Sequence, residues 1–81
     1  MEPADVERLI ETNLEGAEAT VRRARGDHDD DHLAATVVSP AFEGVSLVDQ
    51  HKMVYDALGE HMTRGVHALE LSTYAPAEAP E

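Results

Sequence analysis

Gly16 separates two apolar periods, and this switch constrains the fold more than any other feature of the chain. Before it, Val6, Leu9, Ile10 and Leu14 recur at helical spacing, so residues 3 to 15 are predicted to form an amphipathic helix. Pro3 is tolerated in a first turn, Glu2 and Asp5 suit the positive end of the helix dipole, and Gly16 is placed to stop the helix. After Gly16 the period is two: Ala17, Ala19 and Val21 alternate with Glu18, Thr20 and Arg22, a strand signature that closes at Arg25. The turn formers of Gly26 to Asp31 interrupt it, and His32 to Ser39, with Thr36-Val37-Val38 at its heart, reads as a second strand. Two strands joined by so short a polar loop make an antiparallel hairpin.

Ser39-Pro40 ends that strand, and an irregular turn follows with Phe42 as its apolar anchor and Gly44 as its pivot. Ser46 and Asp49 fit a capping box at the start of a second helix. Its stripe is Leu47, His51, Val54, Leu58 and Met62, widened by Val48, Tyr55 and Ala57, and the period runs through Gly59. VHALELSTY is a third strand with Leu69, Leu71 and Thr73 on one face and His67 in phase with them. The order is α-β-β-α-β, with a possible terminal helical turn. The crossover makes strands two and three parallel. The expected fold class is therefore α+β: a three-stranded mixed sheet with helices on one face, in the KH-like (class II) connectivity. Residues 1–75 form the domain, and 76–81 a flexible tail of Ala, Pro and Glu.

The 81 residues make one small domain with a thin core. With no cysteine, the chain has no disulfide, no thiol nucleophile and no thiolate for zinc or an iron–sulfur cluster. The N-terminal stretch shows no basic region followed by an apolar one, and no apolar run approaches a bilayer span, so a cytoplasmic protein without a membrane role is expected. A net charge of −11 repels phosphates and weighs against non-specific DNA binding, although concentrated salt would screen it. The acidic excess suits either a salt-adapted (halophile) protein or an ordinary acidic domain. No two of the glycines at 16, 26, 44, 59 and 65 lie three apart, so the G-x-x-G loop with which KH domains grip RNA is absent. Nothing positions a nucleophile or an oxyanion hole, and the chain is not expected to be an enzyme.

From Thr36 to Thr73 the chain resembles the BolA family. The resemblance rests on Val37-Val38-Ser39, Phe42-Glu43-Gly44, the triplet Gln50-His51-Lys52, Val54-Tyr55 and His67-Ala68-Leu69, and on His32 at the opening of strand two. It implies an interaction protein that pairs with a monothiol glutaredoxin and a small thiol in iron–sulfur cluster assembly, trafficking or iron homeostasis. The shared [2Fe–2S] cluster is co-ligated by the histidine of the H-A-L strand, here His67, and by a loop histidine best placed at His28. His32 and His51 are lesser candidates. Imidazole can replace thiolate on one iron of such a cluster, and a chain without cysteine then needs a thiolate-bearing partner. The isolated chain is expected to hold no cofactor and to be a monomer or weak homodimer.

The resemblance also offers an alternative, a DNA-binding transcriptional or stress-response regulator. Its contacts would be His51, Lys52, Arg22, Arg23 and Arg25, although the family's R-H-R triplet has lost an arginine to Gln50. The bland readings are equally concrete. His67 would pack at the sheet's edge, His28 would be an exposed turn residue, His32 a structural strand opener, His51 a packed helix residue, and the arginines a solvated face. The aspartates around His28 and His32 either act on the loop histidine or hydrate an acidic surface.

Overall fold

The computed structural model describes residues 2–26, 28, 29, 32–61 and 68–79. Helix α1 spans Pro3–Asn13, strand β1 Glu18–Arg23, strand β2 His32–Val38, helix α2 Leu47–Leu58 and strand β3 Ala68–Tyr74. Short 3-10 turns occupy Pro40–Phe42 and Pro76–Glu78. The sheet order is β1-β2-β3, antiparallel between the first two strands and parallel between the last two. The α+β architecture and mixed sheet are those the periodicities predict. Strand β1 stops two residues short of Arg25, and residues 76–78 of the expected tail form a 3-10 turn.

The helices cover one face of the sheet. Ala19, Val21, Leu33, Ala35 and Val37 turn toward them and are buried with Val6, Ile10 and Leu14 of α1 and Val54, Ala57 and Leu58 of α2. Phe42, 1% exposed, joins this core from the turn between β2 and α2. The other sheet face carries Thr20, Arg22, Ala34, Thr36, Glu70 and Ser72 and is open to solvent. Between the helices lies an open groove of about 560 Å³ lined in part by Leu9, Asn13, Met53 and Ala57.

Two expectations for α2 are corrected. The helix ends at Leu58, short of Met62, because Gly59 takes φ +58°, ψ −135°, a conformation outside the helical region that a residue without Cβ adopts cheaply. The stripe is also covered only in its later part: Val54, Ala57 and Leu58 are buried as expected, whereas Leu47 and Val48 at its start are 61% and 71% exposed. Ser46 caps as expected, its Oγ accepting the Asp49 N–H at 3.3 Å. At the start of α1, the Asp5 carboxylate accepts the Glu2 N–H at 3.3 Å.

Helix α1 also closes one edge of the sheet. Glu11 Oε2 accepts the Ala19 N–H at 3.0 Å, and Glu7 Oε2 accepts the Val21 N–H at 2.8 Å. The spacing explains the fit. Four helical residues rise about 6.0 Å and two strand residues about 6.8 Å, so a carboxylate pair at i and i+4 matches successive outward N–H groups of a strand. Unpaired strand edges are templates for further pairing, and these carboxylates take up two of the outward donors of β1.

The turn after α1 is fastened to the end of β2. Ser39, fully buried, donates its hydroxyl to the Glu15 carbonyl at 2.8 Å and accepts the Ala41 N–H at 3.1 Å. Ser39→Ala leaves both groups short of a partner, and a loss of about 1–3 kcal/mol is expected. Urea unfolding checks it: a midpoint unchanged from wild type would show that solvent replaces both bonds.

Candidate functional site

The loop between β1 and β2 and the opening of β3 meet at one end of the sheet. The Ala24 N–H donates to the His32 carbonyl at 2.8 Å, which closes the hairpin, and the Asp29 N–H bonds the Gly26 carbonyl at 3.1 Å, which turns the loop. His32 opens β2, and its Cα partner across the parallel ladder is Ala68, the first residue of β3. Adjacent strands lie about 4.8 Å apart, so the loop histidines sit at the end of the sheet where β3 begins. His67, the residue before Ala68, lies outside the described residues.

His28 is exposed in the turn, as a loop ligand or a solvated residue would be. His32 is half-buried, with Nδ1 3.0 Å from Asp29 Oδ2. Of the flanking aspartates, Asp29 is the one bonded to His32. A carboxylate bonded to one ring nitrogen fixes the orientation of an imidazole, an arrangement common behind metal-binding histidines. Among the described residues, no group of three or more His, Asp or Glu is placed to hold a metal ion. The donors fit a contribution of imidazole to one iron of a cluster and cannot complete it, since the chain has no thiolate.

His51 sits half-buried on α2, and its Nε2 is buried with no hydrogen-bond partner among the described residues. Its neighbour Gln50, which the sequence presents only as a lost arginine, fastens the far end of β3. Its Nε2 donates to the Val45 carbonyl at 2.8 Å, and its Oε1 accepts the Thr73 hydroxyl at 2.7 Å, joining the turn before α2 to β3. Thr73 is buried, and this bond satisfies its hydroxyl. No signal in a single sequence marks that contact, because its partners are 23 residues apart.

The residues of the nucleic-acid alternative do not gather on one surface. Arg22 lies on the open sheet face, whereas His51 and Lys52 belong to α2 in the helix layer on the opposite face. Arg23 is half-buried at the end of β1, and Arg25 is exposed in the loop beyond it.

A mixed three-stranded sheet in α-β-β-α-β order, with both helices on one face, defines a KH-like class of small α+β domain. Within that class the chain belongs to the BolA-like family, whose model, described as BolA-like protein, matches residues 8–78. It is 35% identical over 78 residues to SufE-like protein 1, chloroplastic/mitochondrial, of Arabidopsis thaliana, covering 96% of this chain and 21% of that protein. It is likewise 35% identical over 85 residues to BolA-like protein 1 of Bos taurus, covering 94% of this chain and 63% of the relative. The chain thus spans less than two thirds of the length of these two curated relatives. Among solved structures, a bolA protein homologue from Coxiella burnetii superposes with a TM-score of 0.81 at 36% identity, over 95% of this chain and 94% of that one.

Proposed function

We propose that this protein is a non-enzymatic partner of a monothiol glutaredoxin and that it co-ligates a shared [2Fe–2S] cluster through His67 and a histidine of the β1–β2 loop, His28 in the first instance. The observation that carries this reading is the pairing of His32 with Ala68, which gathers the loop histidines and the opening of β3 at one end of the sheet. Family membership supports it, as does a chain whose only soft donors are imidazoles and methionines. The glutaredoxin and a small thiol supply the thiolates. Imidazole ligation on one iron raises the potential of the cluster relative to an all-thiolate site. Asp29, bonded to Nδ1 of His32, makes His32 the competitor of His28 for the loop position.

The test mixes the protein with a monothiol glutaredoxin carrying a reconstituted cluster and follows visible absorption and circular dichroism. Wild type is expected to change both spectra, and His67→Ala to abolish the change. Of His28→Ala and His32→Ala, the variant that loses the new bands identifies the loop ligand. A spectrum unaltered by adding wild-type protein would overturn the reading.

A further inference from the structure

The two edges of the sheet differ. On the β1 edge, Glu11 and Glu7 take up the outward N–H groups of Ala19 and Val21. At the other end of the order, β3 pairs with β2 alone among the described strands. Ser39 donates its N–H to the Tyr74 carbonyl at 3.1 Å, so the even-numbered residues of β3 turn their backbone groups toward β2. Backbone direction alternates along a strand, and Leu69 and Leu71 therefore turn their N–H and C=O groups outward. No hydrogen bond among the described residues uses these groups.

Two further observations describe what fits there. Asn13 donates to the Ala57 carbonyl at 3.0 Å and marks the side of α2 that faces α1. At about 100° per residue, Val48 and Tyr55 fall on the other flank, roughly 160–180° from Ala57, while Leu47 opens the helix on the sheet side; these are the large apolar residues left exposed among those described. On the open sheet face, Glu70 is exposed and has no ion-pair partner among the described residues.

We propose that the outer edge of β3 accepts an extended segment of a partner protein whose side chains alternate apolar and basic. The added strand bonds to Leu69 and Leu71, which is the strand-addition mode of peptide recognition. Its apolar side chains enter the helix layer beside Leu69, Leu71 and the exposed flank of α2. Its basic side chains stand on the open face beside Glu70, where opposite charges on neighbouring strands attract. A second copy of this chain is the wrong occupant on charge, since each brings −11 and no base opposite Glu70. The proposal goes beyond the cluster reading and needs neither cluster nor glutaredoxin.

The test uses the full-length, isotopically labelled protein alone, titrated with a short synthetic peptide alternating lysine and valine. Two controls accompany it: the same peptide with its central valine replaced by proline, and its glutamate-for-lysine counterpart. Exchange of the Leu69 and Leu71 amide hydrogens is expected to slow at least about tenfold with the lysine peptide only. Resonances of Leu47, Val48 and Tyr55 should move with them. Glu70→Lys, an exposed substitution, should weaken the lysine peptide and admit the glutamate one. Equal binding of the proline peptide, or shifts scattered over the acidic surface, would overturn the proposal. So would protection of Leu69 and Leu71 that grows with the concentration of the protein alone, which would identify a second copy as the occupant.

Discussion

Phe42→Ala is expected to lower the stability of the fold by about 3–5 kcal/mol, the range for truncating a buried aromatic side chain. Phe42 is 1% exposed and fills the core from a 3-10 turn that belongs to neither neighbouring strand nor helix. Its removal leaves a cavity bordered by sheet and helices, which cannot both collapse onto it. At roughly 0.05–0.15 kcal/mol per residue, a domain of this size has a total stability of about 4–12 kcal/mol, so the loss is a large share of the whole. With a urea slope near 1 kcal/mol per molar, the unfolding midpoint should fall by about 3 M or more at constant slope. Phe42→Met keeps most of the volume and should cost less than about 1.5 kcal/mol. Equal midpoints for the two variants would show that the volume of the anchor is not what the core requires.

Gly16→Ala should be nearly as damaging, for a different reason. Gly16 has φ +66°, and an L residue held in that region costs about 1–2 kcal/mol. A Cβ there would also stand 2.9 Å from Cγ and 3.0 Å from Cδ of Pro40, a ring that cannot swing away while Ser39 is bonded to Glu15. Overpacking of this kind adds about 1–3 kcal/mol, for an expected total of about 2–5 kcal/mol. Gly44→Ala is the control: φ is +72°, but nothing lies within 4 Å of the added Cβ. It should show the backbone cost alone. Urea midpoints for the pair separate the two effects, and equal losses would mean that the Pro40 contact relaxes freely.

The order of the elements could be read from the sequence because each is written in local terms. The apolar period of α1, the β-branched run of β2, the Ser46 cap and the Phe42 turn all appear in the structure where their patterns place them. What the pattern hid is set by contacts distant in the chain. The period of α2 runs smoothly through Gly59 to Met62, but a period cannot report a stop that depends on one backbone angle. Leu47 and Val48 look like stripe residues, yet only the later part of the stripe, Val54, Ala57 and Leu58, is buried, and how far a stripe is covered depends on elements distant in the chain. Glu7 and Glu11 look like solvated charges until β1 is laid beside α1. At the candidate site, a count of aspartates around His28 and His32 could not say which ring Asp29 would hold, because one turn in the loop decides it.

The carboxylates on β1 have a consequence for assembly. A sheet grows into a fibre only if every molecule offers two free edges, one to receive a neighbour and one to be received. Here Glu7 and Glu11 occupy one of them. If β3 takes up a strand as proposed, the carboxylates of α1 act against growth of the sheet from its other side.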